Sequence, residues 1–559
     1  MQGGAQNKPM ESTPVIDEIL SELNEQQRRA AQHGRDPLLI VAGAGTGKTT
    51  TLAHRVAYLI AGGVNPARIL LLTFSRRAAG EMTRRVDGIL RRLNHLAEKN
   101  GTRTGQLSGQ PLWRGTFHAV AARLLRMHGR SIGLEPEFTV HDRGDSEDLI
   151  NVLRSELGLP SSETRFPRKR TCIEIYSRCV NSRRSLNDVL TNVFTWCVDY
   201  EDDLRRLFAA YVDRKEQNAV LDYDDLLLFW HGLLSDPAAG TAIRSRFDCV
   251  LVDEYQDTNI LQAEILQLLR PDGQGVTVVG DDAQSIYSFR AATVRNILDF
   301  PETFPNTSVI PLEQNYRSTQ PILEVTNDVI AQAQQRHEKS LWSERSEGEP
   351  PVLVHCQDED EQTEFVISEI LGHREKGVDL RRQAVLFRAS QHSIRLELEL
   401  ARRNIPFHKY GGLKFVETAH VKDMMAFLRL AENPRDFVSG IRVLLLLPGI
   451  GPKRTRDLMR YLDQAGGEFR VWEEFQPPAA TKDCWERFVQ LMRELTGPKM
   501  QDLSQQVHLV LEFYRDLLEK KYDHADARIR DLEQLEQLAG RFPDRATFLT
   551  EITLDPPAS

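Results

Sequence analysis

The chain has 559 residues, of which 41% are hydrophobic and 27% are charged, and its formal net charge is −9. At roughly 150 residues per domain, this length predicts three or four globular domains. No apolar run approaches the ~20 residues that cross a bilayer, so a helical membrane protein is excluded. The six cysteines form no C-x-x-C pair, which argues against a zinc or iron–sulfur site and favours a cytoplasmic protein. The negative charge does not favour a nucleic-acid partner, although a local basic channel can bind phosphates on an acidic protein.

The first part of the chain alternates short apolar runs with helical periodicity. Leu38–Ala42 and Ile69–Phe74 are predicted to be buried strands. Thr49–Ala61 and Ser75–Leu90 are predicted to be helices. Such alternation is typical of a parallel sheet that is covered by helices.

A mainly helical stretch then interrupts the α/β pattern. It runs from Phe117 to about Ala242, and short buried strands return at Cys249–Val252 and Val276–Val279. The helical stretch is therefore interpreted as an insertion in an α/β domain.

A second α/β region is predicted further along the chain. Its candidate strands are Ser308–Pro311, Val352–His355 and Ala384–Phe387. From Val421 to about Leu549 the pattern is again mostly helical. The expected order is an α/β region with a helical insert, followed by a second α/β region with its own helical segment.

The first predicted strand ends in a glycine-rich phosphate loop that opens the next helix, which is the context this motif requires. Its glycines would let backbone N–H groups wrap phosphates, and the helix N-terminus adds positive potential. Lys48 would reach the β- and γ-phosphates, and the Thr49 hydroxyl would coordinate Mg²⁺. The strand, the lysine and the threonine together disfavour the alternative, a glycine turn that only caps a helix. The loop consists of Gly43, Ala44, Gly45, Thr46, Gly47, Lys48 and Thr49.

Two adjacent carboxylates, Asp253 and Glu254, follow the predicted strand Cys249–Val252. Asp253 would hold the metal, and Glu254 would activate the attacking water as a general base. Adjacent carboxylates usually lie on a solvated loop, but these two follow an apolar strand. The loop and the acidic pair together predict a nucleoside triphosphatase, without indicating what the enzyme moves.

The motifs around these residues resemble those of the UvrD/Rep-type superfamily 1 DNA helicases. Six matches occur in family order, and the similarity extends from Leu23 to about Leu430. Looser similarity to AddA- and RecB-type helicases reflects the same motor. The matching segments are Leu23–Arg28, Leu72–Ala79, Gly115–His118, Asp253–Asp257, Gly280–Tyr287 and Gln314–Ser318.

The resemblance implies an α/β fold with two RecA-like P-loop motor domains, the second one incomplete, each with a mainly helical inserted subdomain. It also implies ATP-dependent 3′→5′ translocation along single-stranded DNA, coupled to strand unwinding, with ATP and Mg²⁺ as cofactors. The implied domains are 1–115 and 243–310 for the first motor domain, 116–242 for its helical insertion, 311–412 for the second motor domain, and 413–559 for a helical subdomain with a C-terminal linker.

The resemblance assigns further roles in the nucleotide site. Gln27 would read the adenine edge through its amide, and Tyr316 would stack on the adenine. Gln284 would sense the γ-phosphate, and Arg317 would act as an arginine finger that neutralises charge in the transition state. Without the motif order, these side chains would be interpreted as surface amides, a core ring and a surface ion pair. Thr50 belongs to the predicted ATP-binding set, although the family often has arginine at this position.

Candidate DNA contacts come from three of the same motifs and from two residues that closely follow the third. Bases of single-stranded DNA stack on aromatic faces whatever their sequence, at about 1–3 kcal/mol per base. The alternative is that Phe74 and Phe289 are core residues. The family usually has tryptophan where this chain has Phe289, so the area available for stacking is smaller. The implied DNA contacts are Phe74, Arg76, Thr116, Phe117, His118, Tyr287, Phe289 and Arg290.

The implied partners are single-stranded DNA, single/double-strand junctions, and repair or replication proteins. The turn Leu447–Gly451 either contacts duplex phosphates or is a plain turn between helices. Two further motor motifs of the family, a Lys-Gly-Leu-Glu run and an Ala-Leu-Thr-Arg-like helix, are not recognised before Ser559, so the second motor domain is expected to be incomplete. Two other functions stay open: an ATP- and DNA-binding protein without motor activity, and the motor part of a helicase–nuclease.

Overall fold

The computed structural model describes residues 14–74, 76–99, 112–159, 166–410, 417–497, 500, 502–521 and 525–554. The chain divides into two compact units. The first contains Met1–Gly348 and Ala419–Pro556, and the second contains Glu349–Thr418 with Pro557–Ser559. No helix among the described residues is both long and apolar enough to cross a bilayer.

A six-stranded parallel sheet forms the centre of the first unit, with the strand order β3-β2-β6-β7-β1-β8. A separate small sheet pairs β4 with β5. The strands of the described residues are β1 Leu38–Ala42, β2 Ile69–Thr73, β3 Trp113–Thr116, β4 Thr139–Val140, β5 Val220–Leu221, β6 Cys249–Val252, β7 Val276–Gly280 and β8 Ser308–Leu312.

Apolar side chains explain why the central segments are strands. β1, β2, β6 and β7 are buried at every position, as expected for parallel strands that helices cover on both faces. Alternate residues of β1 enter two different cores: Leu39 and Val41 join one, and Leu38 and Ile40 join the other.

Helices cover both faces of the sheet, fill the insertion between β3 and β6, and build the C-terminal part of the described chain. In the first unit they are α1 Pro14–Leu20, α2 Glu25–Ala31, α3 Lys48–Ala61, α4 Arg76–Lys99, α5 Phe117–His128, α6 Arg143–Glu156, α7 Lys169–Ser182, α8 Leu186–Asn192, α9 Glu201–Gln217, α10 Tyr223–Ser235, α11 Pro237–Arg244, α12 Ile260–Leu269, α13 Arg295–Leu298, α14 Phe300–Thr303, α15 Gln320–Ala331, α18 Ala419–Glu432, α19 Phe437–Leu444, α20 Pro452–Gln464, α21 Lys482–Thr496, α22 Leu503–Lys521, α23 Ala525–Ala539 and α24 Arg545–Leu554. In the second unit they are α16 Glu359–Glu375 and α17 Ile394–Arg402.

The strands predicted before residue 300 are confirmed to within one residue at each end. Ser308–Pro311 is also a strand, but the prediction that it belongs to a second α/β region is wrong. It forms β8, which pairs with β1 from Leu38↔Ser308 to Ala42↔Leu312. A short apolar run does not specify which sheet it joins, and here β1 offers a parallel edge that β8 occupies.

The other two strands predicted for the second α/β region are wrong as well. Val352–His355 and Ala384–Phe387 have no regular secondary structure. A strand requires a neighbour for its backbone N–H and C=O groups, and no described residue of Glu349–Thr418 pairs with them as a strand. Leu353 is 82% exposed and Leu386 is 93% exposed, so their apolar character alone does not bring them into a core.

Buried charged pairs join the C-terminal helices of the first unit to the helical insertion. His141 Nε2 lies 3.0 Å from Asp436 Oδ1, and Arg429 Nη1 lies 2.5 Å from Asp145 Oδ2. All four side chains are buried. Because a buried charge is tolerated only with a partner, these pairs specify how α18 and α19 dock beside α6.

Candidate nucleotide site and DNA interface

The parallel sheet gathers the predicted functional loops at one edge. The carboxyl ends of β1, β2, β6 and β7 lie on the same side, which is where α/β sheets bind ligands. The phosphate loop follows β1, Phe74 follows β2, Asp253 follows β6 and Asp281 follows β7. The fold therefore brings together segments that are more than two hundred residues apart in the sequence.

Backbone conformation explains the glycines of the phosphate loop. Gly45 and Gly47 have φ angles of +82° and +84°, a region that residues with a Cβ rarely adopt. Space is limited as well, because a Cβ on Gly45 would stand 2.7 Å from the Arg317 Cβ. Thr46 closes the loop through its hydroxyl, which donates to Gly43 O at 2.8 Å. The loop is thus preformed, with Lys48 as the first residue of α3.

Gln27 and Tyr316, the predicted adenine-binding residues, lie beside this loop. Gln27 Nε2 donates to Thr46 O at 2.9 Å, and the capping box with Asn24 holds Gln27 at the start of α2. Asn24 Nδ2 in turn donates to the Tyr316 hydroxyl at 3.0 Å. The Tyr316 side chain is half exposed, so its ring is available for stacking on a base.

Asn315 is a candidate functional residue that the sequence reasoning did not single out. Its Nδ2 donates to Ala44 O at 2.5 Å, and its Oδ1 accepts from the backbone N–H of Arg317 at 2.8 Å. Tyr316 N also donates to Gly45 O at 2.9 Å. The buried amide therefore attaches the candidate arginine finger to the phosphate loop, while the Arg317 side chain stays exposed.

The acidic pair combines burial with backbone strain. Asp253 is buried, and burial, followed by the charge of Glu254, raises the pKa of Asp253 to about 7. Glu254 has a φ of +51°, which is uncommon for a residue other than glycine and marks strain that functional sites often hold. Its carboxylate oxygen Oε2 accepts from Lys48 Nζ at 2.9 Å.

The donor set at this position fits Mg²⁺. Mg²⁺ prefers carboxylate and hydroxyl oxygens, and Thr49 at the start of α3 and Asp253 at the end of β6 provide them. Burial raises the pKa of the Asp253 carboxyl to about 7, so its ionised form is unfavourable without a nearby positive charge. A bound cation would supply that charge in place of the proton. Thr49 and Asp253 are therefore the residues that would hold the metal.

A chain of hydrogen bonds connects Glu254 to Gln284. Gln256 Nε2 donates to Glu254 Oε2 at 2.8 Å, and Gln256 Oε1 accepts from Asp281 N at 3.0 Å. Gln284 Nε2 donates to Asp281 Oδ2 at 2.5 Å. Sequence reasoning missed Gln256 as a functional residue, although its place in the Asp253–Asp257 motif was the available signal.

Thr50 has a partner that the sequence did not predict. Its hydroxyl accepts from Arg85 Nη1 at 2.8 Å, so α4 brings an arginine next to the phosphate loop. The family often has an arginine at the position of Thr50. In this chain the guanidinium next to Thr50 belongs to Arg85 on α4.

Four candidate DNA contacts form one exposed cluster, which we call the aromatic cluster: Phe74, Tyr287, Phe289 and Arg290. The ring centroids of Phe74 and Tyr287 are 4.9 Å apart, and those of Tyr287 and Phe289 are 5.8 Å apart. The Arg290 guanidinium lies 5.6 Å from the Phe289 ring centroid. Phe74 is 38% exposed and Phe289 is 64% exposed, so the alternative that they are core residues is wrong.

The Gly115–His118 motif contributes differently from the prediction. Phe117 is buried, and its ring lies 6.1 Å from Trp230 between centroids, so its prediction as a DNA contact is corrected: it is a core residue. Thr116 caps α5 by accepting from Ala119 N at 3.3 Å. Burial lowers the pKa of His118 to about 4, which makes it a neutral ring near neutral pH. The side chain of Arg76 lies outside the described residues.

Comparisons with known proteins agree with this arrangement. The UvrD/REP helicase N-terminal domain family matches residues 23–305, and the UvrD-like helicase C-terminal domain family matches residues 310–541. The second match means that the expected lack of C-terminal motor motifs is not confirmed.

Curated relatives are similar over almost the whole chain. The ATP-dependent DNA helicase UvrD1 of Mycobacterium tuberculosis is 36% identical, over 96% of this chain and 70% of the relative. DNA helicase II of Haemophilus influenzae is 34% identical, over 96% of this chain and 73% of the relative. The ATP-dependent DNA helicase PcrA of Staphylococcus epidermidis is 30% identical, over 96% of this chain and 73% of the relative. The ordered motifs, their geometry at one sheet edge and these similarities show that the chain belongs to the UvrD/Rep helicase family.

Proposed function

We propose that the protein is an ATP-dependent DNA helicase that translocates 3′→5′ along single-stranded DNA. The observation that carries the coupling of ATP to DNA is the hydrogen-bond chain from Lys48 through Glu254, Gln256 and Asp281 to Gln284, and the 3′→5′ polarity is taken from the family resemblance. The segment that contains Gln284 continues directly into the aromatic cluster. The groups that would handle ATP are thus linked by short contacts to the surface that would hold DNA.

The ion pair between Lys48 and Glu254 suggests how ATP binding activates the base. The phosphates of ATP compete for the Lys48 ammonium, so nucleotide binding would release the Glu254 carboxylate. Glu254 would then accept a proton from the attacking water. Thr49 and Asp253 would hold Mg²⁺, which would supply charge neutralisation at the phosphates. Arg317 would approach the same phosphates as the finger.

The DNA surface has the properties of a sequence-independent motor. Aromatic faces stack on any base, and Arg290 adds a cation beside them. Binding should therefore prefer single strands, ignore sequence and weaken steeply with salt, because phosphate contacts release counterions. The Leu447–Gly451 turn is the proposed contact with the duplex at a junction. Repair or replication proteins are the proposed partners, and the cytoplasm is the proposed location.

A second function is an ATP- and DNA-binding protein without motor activity. One observation favours it: no described residue of Glu349–Thr418 lies in a paired strand. By resemblance to the family, a second motor domain would bring the Arg317 guanidinium to the phosphates, and one finger contributes on the order of 10³–10⁵ in rate. Without that domain, ATP and DNA would bind but turnover would be slow.

Phosphate release and strand separation distinguish these functions. The helicase proposal expects ATP turnover that rises with single-stranded DNA, together with unwinding of duplexes that carry a 3′ tail. The Lys48→Ala variant is the control, because it removes the ammonium that binds the phosphates. ATP and DNA binding without stimulated turnover would support the second function, and unwinding only from a 5′ tail would overturn the polarity.

A further inference from the structure

A buried lysine lies at the start of the segment that links the nucleotide site to the DNA surface. We call residues Asp281–Arg290 the coupling segment. Lys339 Nζ lies 2.8 Å from Asp281 Oδ1 and 2.6 Å from Asp282 Oδ1. The Lys339 side chain is only 4% exposed. Lysine is seldom buried to this extent unless its charge is paired, and here one ammonium serves two adjacent carboxylates.

The Lys339 ammonium stays charged at neutral pH. Burial disfavours the Lys339 ammonium, but Asp281 and Asp282 outweigh it and raise the pKa of the lysine. Asp282 also accepts from the backbone N–H of His337, at 3.3 Å from Oδ2. Removing the lysine charge would leave two neighbouring buried carboxylates without a cation, and an uncompensated buried charge is costly.

The residues that follow Lys339 contact the other side of the nucleotide site. Ser340 N donates to Glu313 Oε1 at 2.9 Å. The Leu341 side chain lies 2.6 Å from the point where a Cβ on Gly43 would stand. One short stretch of chain therefore contacts both the phosphate loop and the carboxylates at the start of the coupling segment.

The remaining bonds of Asp281 show what the lysine holds in place. One carboxylate oxygen of Asp281 binds Lys339, and the other accepts from Gln284 Nε2. The backbone N–H of Asp281 donates to Gln256, which binds Glu254. The backbone of Asp281 is thus linked to the candidate base, whereas its carboxylate, which Lys339 holds, is linked to the candidate phosphate sensor.

We propose that Lys339 is a positioning residue that couples ATP turnover to DNA binding by holding Asp281 and Asp282. It fixes the start of the coupling segment, so that Gln284 faces the nucleotide site while Tyr287, Phe289 and Arg290 face DNA. The proposal rests on the proposed helicase function. It assigns Lys339 no contact with ATP or DNA.

The test compares Lys339→Met, which removes the charge, with Lys339→Arg, which keeps it. We expect Lys339→Met to bind ATP normally and to keep its DNA-free turnover, while the stimulation by single-stranded DNA falls on the order of tenfold, the scale of a typical coupling between sites. Lys339→Arg should recover most of the stimulation. Arg336→Ala is the matched control, because Arg336 is an exposed cation three residues away that binds only backbone carbonyls in the described structure.

Two measurements separate positioning from a loss of folding. The double variant Lys339→Met/Asp282→Asn removes one of the two carboxylates, so its thermal unfolding should return toward that of the unmodified protein while stimulation stays low. Recovery of full stimulation in the double variant would overturn the positioning role. Equal stimulation in Lys339→Met and the unmodified protein would also overturn it.

Hydrogen exchange tests the proposal independently of helicase activity. In Lys339→Met the amides of the coupling segment should exchange faster, while those of α3 should not change. Unchanged exchange in the coupling segment would overturn the proposal for Lys339. If the unmodified protein showed no DNA-stimulated turnover, the proposed function would fail, and the exchange result would still decide whether Lys339 orders this segment.

Discussion

At the scale of single residues, Glu254 is the proposed general base, so turnover should depend on it directly. We expect Glu254→Gln to keep ATP and Mg²⁺ binding and to lower turnover by roughly 10²–10⁴, because the amide keeps the shape and cannot accept the proton. Nucleotide binding and phosphate release would be measured in parallel. If Asp253→Asn were instead the variant with normal metal binding and no turnover, the two carboxylates would have the opposite roles.

As the proposed metal ligand, Asp253 should make Mg²⁺ binding dependent on pH. Its pKa is raised to about 7, first by burial and then by the charge of Glu254, above about 3.8 in the unfolded chain. The folded state therefore binds the proton more tightly, so this group's contribution to stability falls as the pH rises from about 4 to about 7. Mg²⁺ bound by the Asp253 carboxylate would compete with that proton.

The stabilisation by Mg²⁺ should consequently increase between about pH 6 and about pH 8, around the raised pKa of Asp253. Thermal unfolding with and without the metal, across this range, would measure it. Asp253→Asn is the control and should remove both the effect and its pH dependence. A constant Mg²⁺ effect from pH 6 to 8 would argue against Asp253 as the ligand.

At the scale of elements, the aromatic cluster should act as one stacking surface, since its parts come from the end of β2 and from the coupling segment. Phe74→Ala should weaken single-stranded DNA binding by about 1–3 kcal/mol, the value of one stacked base. Fluorescence anisotropy at several salt concentrations would separate this loss from the phosphate contribution. Trp196→Ala is the matched control, because Trp196 is an exposed aromatic residue of the insertion, outside the aromatic cluster. An equal loss in both variants would mean that the cluster is not the DNA surface.

The same scale shows what could be predicted from the sequence and why. Buried strands such as β1 and β6 are continuous apolar runs, so they were found almost to the residue. The sheet that β8 joins could not be predicted in this way, because register and sheet membership depend on contacts with distant chain segments. Asn315 and Gln256 lie in recognised motifs but were not singled out, because their roles arise from bonds to Ala44 and Asp281 in distant segments.

At the scale of the whole molecule, the buried pair of His141 and Asp436 links the insertion to the C-terminal helices. Burial disfavours the charged imidazole, but Asp436 outweighs it and raises the pKa of His141. The contribution of this pair to folding stability is therefore fully present below about pH 6.5, the ordinary histidine pKa. It is lost as the pH rises through the raised pKa of His141. Burial alone would raise the pKa of Asp436, but His141 outweighs burial and lowers it. The stabilisation by the pair is therefore also lost in acid, as the pH falls below about 4.

We therefore expect the thermal unfolding temperature of the protein to fall as the pH is raised through the His141 pKa. In His141→Gln this part of the pH dependence should disappear, while Arg429 and Asp145 keep the two parts together. Calorimetry at a series of pH values would measure the difference. Identical pH profiles for the two proteins would show that the pair does not govern the docking of the C-terminal helices.

The position of β1 in the sheet has one more consequence. Both strands that flank it, β7 and β8, lead into segments that touch the nucleotide site: β7 into the coupling segment, and β8 into the stretch that carries Asn315 and Lys339. A change at the phosphate loop would thus have two routes, one toward the proposed DNA surface and one toward the chain that leads on to residue 349. Lys339, in the stretch after β8, pairs with Asp281 and Asp282, which follow β7. In the proposed role, this ion pair would make the two segments on either side of β1 move together.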